Sequence, residues 1–237
     1  MVFFWMWVAL AALGLGLILA VVDWIAVAGE IKRLEWVFKP ATLVAILIGA
    51  GLLIGHTGPR RLGLWFLPAL GFSLVGDILL MLPGERWFAP GLGAFLVAQL
   101  CYIVGLNETL PPASSLWLLA LVAVIDLIVL PPVVRGARAS GAAALQLPVV
   151  IYGVVLSLTL VSGWATWFRP TWPLVGRLTV SAGTTLFFAS DLMLAWNKFV
   201  RQSRALQVGV IVTYHLAQIA LALTIWMHTV YIGGLRA

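Results

Sequence analysis

FFWMWVALAALGLGLILAVVDWIAVA, residues 3–28, runs for twenty-six positions with one charged side chain, Asp23. An uninterrupted apolar stretch of ~18 residues or more is long enough to cross the hydrocarbon core as a helix. This one has no basic leading region and is long for a secretory signal, so it is predicted to be a retained first span. The reading sets the solvent for the rest of the chain.

Seven further apolar segments follow, at residues 40–55, 62–82, 88–107, 115–134, 144–167, 173–196 and 206–231, each bounded by charges, Pro or Gly. The chain of 237 residues is 63% hydrophobic and 9% charged, far from the balance of a soluble domain, which is about 25% charged. Barrel strands would alternate apolar and polar residues over ~10 positions, and these segments do not. The connections are too short for a soluble domain. The fold class is therefore all-α: a polytopic membrane helical bundle of about eight spans, with residues 1–237 as a single integral membrane domain.

The net charge of +6 does not point to nucleic acid, because the fourteen Lys and Arg are scattered through short loops. There they act as topology signals. Nine of them (Lys32, Arg33, Lys39, Arg86, Arg135, Arg138, Lys198, Arg201 and Arg204) fall on the side reached after the odd-numbered spans, and five (Arg60, Arg61, Arg169, Arg177 and Arg236) on the other. The positive-inside bias assigns the richer side to the cytoplasm. Cys101 is the single cysteine, so neither an intrachain disulfide nor a cysteine metal cluster is available. Of the three His residues, His56 and His228 belong to the opposite half from His215, so no three-His zinc set is expected.

The two halves resemble each other. GDILLML closes the third span and SDLMLAW the seventh, and each is followed by a basic loop and a helix bearing an amide and a Tyr. Asp23 and Asp126, Pro40 and Pro148, Asp77 and Asp191, and Gln99 and Gln218 pair at offsets between 103 and 119 residues. A degenerate four-plus-four parallel repeat follows.

An Asp at a helix centre in the bilayer costs about 2.5–3.5 kcal/mol on insertion scales, so such residues face the bundle interior and by default mark function. Asp77 lies eight residues before Glu85 and Asp191 seven before Lys198, which places both ~10 Å inside the basic face at ~1.5 Å per residue. His215, Gln218 and Tyr214 on the eighth span, and Gln99 and Tyr102 on the fourth, enter from the same face to comparable depth. Lys39 stands at the mouth of the second span. Ser73 and Thr184 are expected to donate to Asp77 and Asp191 from the same helix faces, and Arg135 is a candidate partner for Asp126.

At these residues the chain resembles the eight-span YhhN-type membrane proteins, whose characterised members are lysoplasmalogenases. The marks are KPATLVAIL from Lys39, GDILLML around Asp77, FLVAQLCYIVGL from Phe95, SDLMLAWNKF around Asp191, and TYHLAQ over Thr213 to Gln218. The resemblance covers essentially the whole chain. It implies hydrolysis of the vinyl ether of a lysoplasmalogen to a fatty aldehyde and a glycerophosphocholine or glycerophosphoethanolamine, with no cofactor and no metal. The partners implied are the lysophospholipid substrate and the surrounding membrane lipids. Where the family's fourth span usually carries His in F-x-x-x-H-x-x-Y, this chain has Gln99, which leaves room for a different lysolipid substrate.

The residue types suit that chemistry. Vinyl ether opening needs a general acid, a base to activate water, and negative charge near an oxocarbenium-like centre. Paired carboxylates do this in glycoside hydrolysis. Asp77 and Asp191 are therefore the expected catalytic pair, with Lys39, Gln99, Tyr102, Tyr214, His215 and Gln218 as substrate-binding groups. Intramembrane Asp residues in a repeated fold also occur in transporters. Against that reading, the polar groups cluster in one half, whereas a two-sided pathway needs them in both. Arg far outnumbers Lys, and Ala, Gly and Leu are abundant, which points to a GC-rich bacterial genome and hence a bacterial plasma membrane.

Overall fold

The computed structural model describes residues 2–57 and 61–234. Among them there are eight long helices and no strand: α1 (Val2–Ala28), α2 (Lys32–Thr57), α3 (Arg61–Met81), α4 (Phe88–Leu106), α5 (Trp117–Ala139), α6 (Gln146–Ala165), α7 (Leu174–Phe199) and α8 (Arg204–Gly234). All eight are long and apolar enough to cross a membrane. Helices dominate because each satisfies its own backbone donors and acceptors where no water can. Arg60, Arg236 and the side chain of His56 lie outside the described residues.

Two spans run further than their composition suggests. The second begins at Lys32 rather than residue 40, because its charged opening turn is itself helical, with Lys32 paired to Glu35 at 2.7 Å. Pro40 sits inside this helix, where its missing N–H leaves the Trp36 carbonyl without its usual partner. Thr42 Oγ1 donates back to the Phe38 carbonyl at 2.8 Å in the same turn. The fifth continues through Pro131 and Pro132 to Ala139. Asp126 is thereby moved from near the end of its span to the middle.

Close helix pairs are α1–α2, α3–α4 and α7–α8. Glycines set the approach: a Cβ on Gly76 of α3 would meet the Phe95 ring of α4 at 2.6 Å, and one on Gly183 of α7 would meet Leu221 of α8 at 2.8 Å. Small residues at such crossings let helices associate by packing where hydrophobic driving force is absent. Further neighbours recur under exchange of the two halves: α2–α3 with α6–α7, and α2–α8 with α6–α4. That is the pattern expected of two four-helix repeats. The departure is at α1 and α5. α1 packs on α2 and α8, whereas α5 packs on α6 and only lightly on α7.

The core runs through the middle of α3, α4, α7 and α8, where Phe66, Tyr102, Phe187, Leu221 and Ile225 are buried. Large apolar side chains such as Leu127 and Ile128 face outward, 75% and 67% exposed, as lipid contact requires.

Candidate active site

Four helices deliver the first set of polar side chains to one cavity of ≈ 380 Å³. α2 brings Lys39, α3 Asp77, α7 Asp191 and α8 Tyr214. The rim carries Lys32, Glu35, Asn197 and Gln207, all near the helix ends on the side rich in Lys and Arg. Phe95 and Ile211 are among the apolar walls.

The two carboxylates are held differently. Lys39 Nζ lies 3.3 Å from Asp77 Oδ1, and the Tyr214 hydroxyl donates to Asp77 Oδ2 at 2.7 Å. Asp77 is thus the ionic member, its charge matched by an ammonium and a phenol. Among the described residues Asp191 has no cationic partner; the Tyr152 hydroxyl of α6 donates to its Oδ2. Asp77 is 1% exposed and Asp191 9%, so Asp191 is the more open of the two.

A second layer lies behind the cavity. Tyr102 donates to Gln218 Oε1 at 2.8 Å, fully buried. Trp24 Nε1 donates to His215 Nδ1 at 3.2 Å, so the neutral imidazole carries its hydrogen on Nε2. Gln99 is buried; its amide lies near the Tyr152 hydroxyl without a hydrogen bond of normal geometry. Aromatic edges pack the layer: Tyr214 meets Phe95 and Phe187 edge-on at 5.8 and 5.7 Å between ring centroids. Such pairs fix ring orientation and hence hydroxyl direction.

Of the residues singled out from sequence, Lys39, Asp77, Asp191 and Tyr214 line the cavity, while Gln99, Tyr102, His215 and Gln218 form the layer behind it. Lys39, expected at the mouth, points inward at Asp77, and Lys32 stands at the rim. The expected hydroxyl donors do not serve the carboxylates. Thr184 Oγ1 bonds back to the Val180 carbonyl at 2.9 Å, and Ser73 Oγ makes no hydrogen bond to Asp77. Asp126 is partnered by Ser157 Oγ at 2.9 and 2.8 Å, not by Arg135, whose Nε donates to the Pro131 carbonyl at 3.2 Å.

Tyr152 is the residue sequence reasoning missed. A signal for it existed: Tyr152 stands 113 residues after Lys39, beside offsets of 114 for the two Asp and 112 for Tyr102 and Tyr214. Asp23 is also fully buried, on α1, and neither of its oxygens has a hydrogen-bond partner among the described residues.

The order of these features along the chain is what a family comparison recognises, and residues 34–225 match the YhhN family. The chain belongs to the YhhN family. The matched region contains Lys39, Asp77, Asp191 and Tyr214 together with Tyr152. No curated protein and no solved structure matches the chain. Membership in the YhhN family supports a lysoplasmalogenase-like, multi-pass membrane protein at family level.

Proposed function

We propose that this YhhN family protein hydrolyses the vinyl ether of a lysoplasmalogen, with Asp191 as general acid and Asp77 as general base. The observation that carries the reading is that both carboxylates line one cavity with unlike partners, an ammonium on Asp77 and a phenol on Asp191. An adjacent cation favours the carboxylate form, and a buried carboxyl without one favours the acid. Groups held in opposite protonation states divide acid and base work.

The cycle closes on these two residues. Asp191 gives its proton to the vinyl β-carbon, and positive charge develops on the carbon bearing the ether oxygen. The Asp77 carboxylate stabilises that charge and takes a proton from water as the water oxygen bonds to the cationic carbon. In the resulting hemiacetal, Asp191 removes the hydroxyl proton while Asp77 protonates the departing glycerol oxygen. The carbon–oxygen bond breaks, aldehyde and glycerophospho-alcohol separate, and both Asp residues return to their starting forms. Tyr214 and Tyr152 hold the carboxylates in place through the cycle, and the buried Tyr102–Gln218 and Trp24–His215 pairs fix α8 behind them.

The phosphate is placed at the rim by Lys32, with Lys39 just inside it. We assign this rim to the cytoplasmic face of a bacterial plasma membrane, on the positive-inside bias of its loops. The test is aldehyde release by purified protein given vinyl ether, alkyl ether and ester lysolipids in parallel. Aldehyde from the vinyl ether alone, lost in both Asp77→Asn and Asp191→Asn, is expected. Full activity in both variants, or solute flux in liposomes with no aldehyde, would sink the assignment.

A further inference from the structure

The cavity described above has an apolar neighbour. A second cavity of ≈ 50 Å³ shares Leu80, Phe95, Asp191 and Leu194 with it and extends to Tyr152, Gly153 and Leu130. On the lipid side of the same helix pair lies a groove of ≈ 670 Å³ between α5 and α6. Leu130 lines both the inner cavity and the outer groove. Its partner across the divide is Gly153, where a Cβ would stand 2.9 Å from Leu130 Cδ2. Leu130, lying against Gly153, is therefore the lining residue common to the inner cavity and the lipid-facing groove.

We propose that Leu130 gates a lateral passage between α5 and α6, through which the hydrocarbon chain of a single-chain lipid reaches Asp191 from the bilayer. The identity of that lipid as a lysoplasmalogen rests on the hydrolase reading above. The passage has its own support.

Among the described residues α5 is the least buried of the eight spans. Pro131 and Pro132 follow directly after Leu130, and they remove the donors that would bond the carbonyls of Leu127 and Ile128. Bends in helices localise at such sites. The two ends of α5 are fastened: Leu118 and Val122 pack with Val161, and Val133 and Ala137 pack with Val149 and Phe199. The compliant part is thus the turn beside the gate.

The groove also has the right chemistry and length for a chain. Its polar lining side chains are Asp126 and Ser157, which hydrogen-bond to each other, so the rest of the wall is hydrocarbon. On α5 it spans residues 119–134, ~22 Å at ~1.5 Å per residue. That exceeds the ~15 Å half-thickness of a bilayer core. A headgroup at the rim, a reacting bond at Asp191 and a chain running out past Leu130 form one continuous path.

The experiment uses the full-length protein in nanodiscs and an alkyl-ether lysophosphocholine carrying a diazirine at the chain end. Photolabel is expected within residues 127–134 and 150–157, competed away by excess unlabelled ether lysolipid. Val154→Trp fills the lipid-facing groove at a position already 45% exposed, so the fold tolerates it. It should cut the competed labelling of those two segments by about tenfold, the scale of steric discrimination in an apolar pocket. Leu130→Ala should raise that labelling. Label spread evenly over lipid-facing helices without competition, as bulk bilayer lipid would give, overturns the passage; so does competed label on another helix pair. Competed label on α5 and α6 with no aldehyde from the wild type discards the reaction and keeps the passage.

Discussion

Replacing Lys39 with Met tests the ion pair on which the division of labour rests. Lys39 Nζ and Asp77 Oδ1 are 3.3 Å apart, with side chains 15% and 2% exposed. Two unit charges at that distance attract by about 5 kcal/mol at an effective dielectric of ~20. Removing one partner of a buried pair leaves an uncompensated charge and costs about 3–5 kcal/mol. The Tyr214 hydroxyl remains on Asp77 and is worth about 1.5–3 kcal/mol as a bond to a charged group, which puts the expected loss near the lower bound, about 3 kcal/mol. The double variant Lys39→Met with Asp77→Leu replaces the pair by apolar groups and should recover most of that loss. Activity should behave in the opposite way. Both variants lack the negative charge at the oxocarbenium centre or its correct placement, so aldehyde release should fall by about 10²-fold or more in each. Denaturant unfolding in detergent and aldehyde release read the two effects separately. A Lys39→Met protein as stable as the wild type and fully active would refute both the ion pair and the role given to Asp77.

Tyr152→Phe removes the donor to Asp191 while keeping the ring; kcat should drop by about 10–10³-fold, within the range for one preorganised donor or proton-transfer group, with little change in thermal stability. Unaltered kcat would remove Tyr152 from the site. His215→Ala deletes the acceptor of Trp24 in a fully buried position; stability should fall by about 1–3 kcal/mol, read by unfolding, with a smaller effect on KM than Asp substitutions have on kcat. Gly136→Val drives a side chain into the Phe199 backbone, since even a Cβ there overlaps the Phe199 carbonyl oxygen. Loss of about 1–3 kcal/mol is expected from such overpacking, and a neutral result would show that α5 and α7 are not in contact at that turn.

The span count was readable because the bilayer imposes length, and the burial of the two carboxylates because an Asp in an apolar run faces the bundle interior. Lateral neighbours were not readable. Ser73 and Thr184 sit on plausible faces of their own helices, yet the donors to Asp77 and Asp191 come from α8 and α6, and a helical period says nothing about which helix lies opposite. Tyr152 was not singled out, because its span holds no acidic residue to mark it. The fifth span was ended at residue 134, just past Pro131 and Pro132, whereas α5 continues to Ala139 and leaves Asp126 near its middle. Pro40 likewise read as a helix start. Inside lipid the alternative to helix is so costly that proline is absorbed rather than obeyed.

The offset of 113 residues between Lys39 and Tyr152 bears on how the proposed division of acid and base arises in a repeated fold. Two faithful copies of a four-helix unit would present twin carboxylates in twin surroundings, a degenerate pair in which neither member is committed to holding the proton. Lysine in one copy and tyrosine in the other, together with a Tyr214 that bonds Asp77 where its counterpart Tyr102 bonds Gln218, lifts that degeneracy. The chemistry then depends less on either copy than on the mismatch between them, and exchanging the two residues should turn the site back to front.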